Sequence, residues 1–319
     1  MDKKRRQIIE SNEISELCTF SLGGYPQKVL IEGKYRHLPV IISLHGGPGT
    51  PIPFSAGCRG LFPEFTDKAI MVYWDQLGCG INDRVIDDSF TIEHFVTMTE
   101  DLIRAVKARF PENKQYLFAT SWGSVLSALV LERTKGLVDG VVVYGQIVKN
   151  LFFCDEVYSA LETSKIPPKK LEAIRNTDIS AIRVRDLAQV SACIRKYTDG
   201  YTNKLGEPTP MGGIIKGLLT SPDYTFRDFK AIMVNGYRNN LSLWRELLKL
   251  DLTDTLTAVG IPYVMIQGDT DIVASTKHAL ELPGENPFLR CAVIENAGHM
   301  PSKAAMDAVF AEMVALTGL

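Results

Sequence analysis

The chain has 319 residues, of which 45% are hydrophobic and 23% are charged, and its net charge is -2 at pH 7. This composition is typical of an ordinary soluble globular protein, and it gives no general attraction to nucleic acid or to an anionic membrane. The length fits two domains or one enlarged domain. The basic start at residues 3–6 is not followed by an apolar stretch, so we predict a solvated N-terminal tail, no signal peptide and a cytoplasmic protein.

The cysteines give no sign of a disulfide framework or of a metal site. They are scattered, without a C-x-x-C pair or a histidine at ligand spacing, which predicts reduced thiols, and we expect no metal or organic cofactor. No run approaches the roughly 18 apolar residues of a membrane-spanning helix. The six cysteines are Cys18, Cys58, Cys79, Cys154, Cys193 and Cys291.

The first half of the chain alternates between apolar strands and amphipathic helices. Apolar residues recur at helical spacing between residues 91 and 110, whereas the predicted strands are short apolar runs bounded by turns. Such alternation predicts a mostly parallel sheet with helices on both faces. The predicted elements are an N-terminal hairpin at residues 18–22 and 28–32, strands at 39–44, 69–74, 115–118 and 138–144, and helices at 91–110 and 125–131.

The alternation stops between residues 149 and 252. This stretch has no convincing buried strand but several amphipathic segments, which predicts a helical cap, or lid, inserted into the sheet domain. The core would then comprise residues 1–148 and 253–319. The predicted cap helices include residues 155–162, 179–196 and 226–250, and the core resumes with strands at 263–266 and 291–294 and a helix at 301–316.

A candidate nucleophile, Ser121, lies in the letters ATSWGS at residues 119–124, between a predicted strand and a predicted helix. A serine hydroxyl is a poor nucleophile at neutral pH, so it needs a sharp turn, a histidine that takes its proton and an acid that orients the histidine. Asp271 and His299 each follow a later predicted strand. We therefore predict a catalytic triad of Ser121, His299 and Asp271.

Two assignments within this triad have competitors. Asp269 is an alternative acid, but we favour Asp271 because it lies two residues further into the turn, where the carboxylate usually points back toward the histidine. Of the five histidines, His299 alone follows the last predicted strand in a loop of small residues. His45 is expected to make structural hydrogen bonds rather than to carry a proton.

The letters HGGPG at residues 45–49 follow an early predicted strand. Acyl transfer needs an oxyanion hole, in which backbone N–H groups point at the negative charge that develops on the substrate oxygen. We predict that Gly47 supplies one of these N–H groups and that Trp122, directly after the nucleophile, supplies the other.

Four motifs together resemble a known family. They are HGGPG at residues 45–49, WDQLGCG at 74–80, SWGS at 121–124 and AGHMP at 297–301. With the order Ser, Asp, His, they resemble the prolyl aminopeptidase (proline iminopeptidase) branch of the α/β-hydrolase superfamily over nearly the whole chain. The resemblance implies an α/β-hydrolase core with a helical cap, and by motif it assigns the same triad and oxyanion roles to this chain.

The chain departs from that branch where the substrate amine would bind. Relatives that cleave N-terminal proline hold the substrate's ammonium group with cap glutamates, one of them commonly in an asparagine-glutamate pair, but the corresponding residues 235–240 contain no acid. Glu156, Glu162 or Glu246 could replace it. We predict substrate contacts from His45, Glu156, Asn239, Asn240 and Trp244.

The sequence thus predicts a serine hydrolase that cleaves an ester or amide bond of a small molecule or short peptide through an acyl-enzyme. Three alternatives stay open: an aminopeptidase-like amidase, a carboxylesterase without aminopeptidase activity, and a non-catalytic ligand-binding homologue. A haloalkane dehalogenase would carry aspartate in place of Ser121. No nucleic-acid or membrane partner is expected, and the sequence does not specify an oligomeric state.

Overall fold

The strands of the chain join in one eight-stranded sheet. A computed structural model describes residues 3–52, 54–208, 210–234, 236–282, 284 and 286–318. The order across the sheet is β1-β2-β4-β3-β5-β6-β7-β8, and β2 is antiparallel to its neighbours while the other pairs are parallel. The mostly parallel sheet that the sequence predicts is therefore confirmed. The strands are β1 (Ile14–Leu22), β2 (Tyr25–Gly33), β3 (Val40–Leu44), β4 (Ile70–Trp74), β5 (Gln115–Thr120), β6 (Gly140–Tyr144), β7 (Tyr263–Gly268) and β8 (Leu289–Ile294).

Helices cover both faces of the sheet. In the described part of the chain, none of them is long and apolar enough to cross a membrane. The helices are α1 (Lys3–Ser11), α2 (Pro63–Thr66), α3 (Ile92–Arg109), α4 (Trp122–Val130), α5 (Asp155–Glu162), α6 (Pro168–Arg175), α7 (Val184–Tyr197), α8 (Met211–Leu219), α9 (Phe226–Met233), α10 (Leu241–Lys249), α11 (Thr253–Thr257), α12 (Thr276–Leu280) and α13 (Lys303–Thr317).

The core has two halves, one on each side of the sheet. Side chains alternate between the faces of a strand, so Val141 and Val143 of β6 enter one apolar cluster while Val142 and Tyr144 enter the other. Apolar residues of α3 and α4 belong to the first cluster, and those of α2 and α13 belong to the second. Because both faces are covered, the central strands read as continuous apolar runs in the sequence.

The predicted solvated N-terminal tail is wrong. Residues 3–11 form α1, and Arg5 is only 4% exposed. Its guanidinium donates to the carbonyl oxygens of Arg59 at 2.6 Å and Gly57 at 2.8 Å. These acceptors lie more than fifty residues away along the chain. A guanidinium carries five N–H donors, so several carbonyl oxygens offset the cost of burying this charge.

Between residues 149 and 252 the described part of the chain contains the helices α5 to α10, and the two ends of this segment lie together. The backbones of Lys149 and Asp251 form an isolated antiparallel β-bridge, and the Leu252 N–H donates to the Val148 carbonyl at 2.8 Å. The helix predicted at 179–196 is instead a 3-10 turn at Ile179–Ala181 followed by α7.

The helix predicted at 226–250 is also interrupted. It consists of α9, a 3-10 turn at Gly236–Asn239, and α10. The Asn240 side chain accepts from the Leu243 N–H at 2.8 Å. Asparagine favours this capping position over the interior of a helix, so a new helix begins after it.

Candidate active site

Ser121 occupies a sharp turn between β5 and α4. Its backbone angles are φ 47° and ψ -116°, which a residue with a Cβ atom rarely adopts and which cost on the order of 1–3 kcal/mol. Its N–H donates to the Tyr144 carbonyl at 3.0 Å, which fixes the turn to β6. A Cβ atom on Gly123 would lie 2.0 Å from the Leu44 carbonyl oxygen. Only glycine therefore lets α4 begin this close to β3.

A hydrogen-bonded chain joins the three residues of the predicted triad. His299 Nε2 lies 2.8 Å from Ser121 Oγ, and His299 Nδ1 lies 2.8 Å from Asp271 Oδ2. The side chain of Asp271 is completely buried, and that of His299 is 9% exposed. A carboxylate only accepts, so Nδ1 carries the proton and Nε2 is left to accept from the serine hydroxyl.

The two candidate acids have different partners. Asp271 contacts the His299 ring, and its second oxygen accepts from the N–H groups of Val273 at 2.9 Å and Ala274 at 3.0 Å. Asp269 accepts from the Ala297 N–H at 3.0 Å. Asp269 therefore holds the backbone of the histidine loop, whereas Asp271 holds the ring.

The HGGPG loop lies beside the nucleophile. A Cβ atom on Gly46 would be 3.3 Å from the Ser121 Cβ, and the loop closes through the Thr50 N–H, which donates to the Gly46 carbonyl at 3.1 Å. Trp122 is the first residue of α4, so its N–H has no acceptor within the helix. Among the described residues, neither the Trp122 N–H nor the Gly47 N–H has a hydrogen-bond partner. Both are available to a ligand oxygen.

His45 is part of the framework under this loop. It is 2% exposed, its Nδ1 contacts the Gly46 carbonyl at 2.9 Å, and its Nε2 accepts from the Gln76 N–H at 2.9 Å. Burial lowers the pKa of His45 to about 4, so the ring is neutral. Both ring nitrogens are occupied. The structural role predicted for His45 agrees with these contacts, and the predicted substrate contact is wrong.

The other predicted substrate contacts lie on or next to helices of the segment between β6 and β7. The Asn240 side chain is buried and donates to the Phe90 carbonyl at 2.7 Å, so its predicted substrate contact is wrong as well. Trp244 Nε1 donates to the Tyr237 carbonyl at 3.1 Å. Asn239 is exposed, and Glu156 forms an ion pair with Lys277 at 3.6 Å. In the described part of the chain, none of these four side chains forms a hydrogen bond or ion pair with a triad residue.

Asn235, the first residue of the stretch compared with the amine-binding relatives, lies outside the described residues. The six cysteines are free thiols. Within the described ranges, no group of three or more His, Cys, Asp or Glu side chains could hold a metal ion.

The contact between residues 199–201 and the histidine loop could not be predicted from a sequence motif. Residues 199–201, directly after α7, lie against the histidine loop. The Gly200 carbonyl accepts from the His299 N–H at 2.9 Å, and the Tyr201 carbonyl accepts from the Met300 N–H at 2.8 Å. The Tyr201 ring stands edge-on to the His299 ring, with 6.1 Å between the ring centroids. These bonds use backbone atoms of residues that are about a hundred positions apart in the sequence, and no motif marks such pairing.

Comparisons with known proteins identify the family of the chain. Residues 39–303 match the family model described as alpha/beta hydrolase fold. The chain is 27% identical over 306 residues to the probable aminopeptidase YbaC of Bacillus subtilis, covering 92% of this chain and 93% of the relative. It is 33% identical over 276 residues to a proline iminopeptidase of Heyndrickxia coagulans, covering 82% and 84%.

The same fold is seen in a solved structure. The crystal structure of proline iminopeptidase from Mycobacterium smegmatis superposes with a TM-score of 0.64 at 19% identity, covering 95% of this chain and 98% of that one. The resemblance stated from the motifs is thereby confirmed. The chain belongs to the α/β-hydrolase fold family, in its proline iminopeptidase-like branch.

Proposed function

We propose that the protein is a serine hydrolase that cleaves an ester or amide bond of a small molecule or short peptide through an acyl-enzyme. The observation that carries the proposal is the chain of two hydrogen bonds, each 2.8 Å, from Ser121 through His299 to Asp271. Nucleophile, base and orienting acid at hydrogen-bond distance are the arrangement that nucleophilic catalysis requires.

In this mechanism Ser121 Oγ attacks the substrate carbonyl carbon while His299 Nε2 takes the hydroxyl proton. Asp271 stabilises the resulting imidazolium, and the N–H groups of Gly47 and Trp122 donate to the oxyanion. When the tetrahedral species collapses, His299 returns the proton to the leaving alcohol or amine, and an ester joins the acyl group to Ser121. Water then attacks this ester with the same base, which releases the acid and restores the serine.

We further propose that residues 149–252 act as the cap that shapes the substrate pocket. The segment leaves and rejoins the core at adjacent points, between Val148 and Leu252. It also contacts the histidine loop through residues 199–201. Substrate selection would then depend on the cap, while the reacting groups stay on the core.

The relatives' names raise the question of a free substrate amine. Each candidate replacement glutamate already has a partner at one of its oxygens. Glu162 pairs with Arg175 at 3.0 Å, and Glu246 accepts from the Ile92 N–H at 2.8 Å, at the start of α3. Glu156 pairs with Lys277 through Oε1 at 3.6 Å, and no hydrogen bond from a described residue reaches its buried Oε2. A cationic amine in a poorly hydrated pocket needs a charged partner. We therefore infer that the pocket does not favour a cationic α-amine.

This inference predicts the outcome of a hydrolysis screen. Short acyl esters and amine-blocked amides should be turned over at least as well as Pro-β-naphthylamide, because loss of a partly desolvated charge contact lowers kcat/KM by about 10- to 100-fold. The measurement is kcat/KM for Pro-β-naphthylamide, its N-acetyl form and p-nitrophenyl acetate under identical conditions.

Rapid cleavage of the free-amine prolyl substrate beside weak activity on its N-acetyl form would reject the inference and favour an aminopeptidase. Preference for the acetate ester would favour a carboxylesterase. Absence of turnover, together with saturable binding of the same compounds, would identify a non-catalytic ligand-binding homologue.

The contact between residues 199–201 and the histidine loop leads to a second prediction. A Cβ atom on Gly298 would lie 2.7 Å from the Tyr201 carbonyl carbon and 2.8 Å from the Asp199 carbonyl oxygen, and both are backbone atoms that cannot move aside. Gly298→Ala should therefore displace His299 and lower kcat by about 10- to 100-fold. Gly212→Ala is the control, because its Cβ would have no neighbour within 4 Å. Unchanged kcat in Gly298→Ala would show that the histidine loop does not depend on this contact.

A further inference from the structure

We propose that Gln76 is a positioning residue that fixes the two proposed oxyanion donors, the N–H groups of Gly47 and Trp122, relative to each other. The inference deepens the proposed function and rests on it. Gln76 belongs to the WDQLGCG motif at residues 74–80, which contributes to the family resemblance but contains no predicted site residue. The residue follows β4, is completely buried, and lies between the HGGPG loop and the beginning of α4.

Three hydrogen bonds connect Gln76 with the donor segments. Its backbone N–H donates to His45 Nε2 at 2.9 Å, and its side-chain Nε2 donates to the His45 carbonyl at 3.1 Å. Its side-chain Oε1 accepts from the indole Nε1 of Trp122 at 2.7 Å. One side chain therefore contacts both segments that supply the proposed N–H donors.

The bonds to His45 fix the loop that carries Gly47. His45 is neutral and contacts the Gly46 carbonyl through Nδ1, so its Nε2 lone pair faces the Gln76 N–H. With the His45 ring and its carbonyl both held, the chain leaves β3 in one direction, and Gly47 follows two residues later. The hydrogen bonds between Gln76 and His45 thus fix the position of the Gly47 N–H, the first proposed donor.

The bond to Trp122 fixes the second donor. The Trp122 indole is completely buried, and Gln76 is its hydrogen-bond acceptor. The backbone N–H of the same residue lies next to Ser121 at the start of α4. Donors of an oxyanion hole must lie 2.7–3.1 Å from the developing oxyanion, so a small shift between the two segments weakens both contacts.

The chain contains a matched control for this arrangement. Gln27 is also completely buried, its Oε1 accepts from the indole Nε1 of Trp74 at 2.9 Å, and its Nε2 donates to the Leu22 carbonyl at 3.1 Å. The pair of side-chain contacts is the same as at Gln76. It joins β2 to β4 and to the end of β1, and it contacts neither a triad residue nor either donor segment.

The experiment compares Gln76→Met with Gln27→Met, since methionine has a similar shape and cannot form either bond. Both changes should lower the melting temperature. Only Gln76→Met should lower kcat, by about 10- to 100-fold with KM within about threefold, because removal of a whole oxyanion donor costs about 10²- to 10³-fold and a shifted donor costs less. The substrate is the compound from the screen that the wild-type protein turns over most rapidly.

Gln76→Glu provides a readout that a purely structural role would not change. A buried carboxyl group has a raised pKa, and its protonated form can donate to the His45 carbonyl while still accepting from Trp122. The ratio of variant to wild-type kcat should therefore rise as the pH falls. This variant also carries the test if Gln76→Met does not fold.

Equal kcat losses in Gln76→Met and Gln27→Met, or a Gln76→Glu ratio that does not change with pH, would overturn the positioning role. If wild-type turnover is abolished by Ser121→Ala while Gln76→Met behaves like the control, this inference fails and the proposed function stands. If wild-type turnover does not depend on Ser121, the proposed function itself fails, whatever the Gln76 variants do.

Discussion

Replacement of Ser121 by alanine should abolish covalent labelling by a fluorophosphonate probe and lower kcat by on the order of 10⁶. In the proposed mechanism the hydroxyl is the only group of the triad that forms the bond to the acyl carbon, and His299 Nε2 lies 2.8 Å from it. Without that oxygen the remaining groups can only bind the substrate and polarise its carbonyl. The expected residual rate is therefore small.

The neighbouring Ser124 is the control for this experiment. It lies in the same motif but is completely buried, and its hydroxyl oxygen accepts from the Ile147 N–H at 3.0 Å. Ser124→Ala should therefore keep the label. Intact-protein mass and peptide mapping measure both variants. Modification of a serine other than Ser121, or turnover without any labelling, would contradict the assignment of the nucleophile.

The parts of the site that local sequence could predict are those that short segments determine. Gly123 and Ser121 lie within three residues of each other, and the approach of α4 to β3 depends on that spacing. Asp271 and His299 each follow a strand of the parallel sheet, whose carboxyl ends meet at one edge. For these reasons the order of strands and motifs was sufficient to predict that the side chains of Ser121, Asp271 and His299 lie together.

The features that the sequence did not reveal depend on contacts between distant residues. Arg5 is buried because carbonyl oxygens of a distant loop accept its N–H groups, although its basic neighbours predict a solvated tail. His45 lies in the HGGPG motif and Asn240 lies in the stretch compared with the amine-binding relatives, yet both side chains bond to backbone groups of the framework. Sequence alone cannot distinguish a polar side chain that faces a substrate from one that satisfies the backbone.

Replacement of Asp271 by asparagine should lower kcat by on the order of 10³ to 10⁴ while leaving the fold intact. One oxygen of Asp271 accepts from the N–H groups of Val273 and Ala274. An asparagine must place its carbonyl oxygen there, which turns its NH₂ group toward His299 Nδ1. That nitrogen must then accept, the proton moves to Nε2, and the ring can no longer take the proton of Ser121.

Asp269→Asn separates this effect from a general loss of charge. The carboxylate of Asp269 accepts from the Ala297 N–H at 3.0 Å, and an asparagine carbonyl can keep that bond, so kcat should stay within about threefold of wild type. The measurement is kcat for both variants, with melting temperatures to show that they are equally folded. A larger loss in Asp269→Asn at unaltered stability would mean that Asp269 orients His299. The expected order follows from the backbone N–H groups, because they decide which end of an amide faces the histidine.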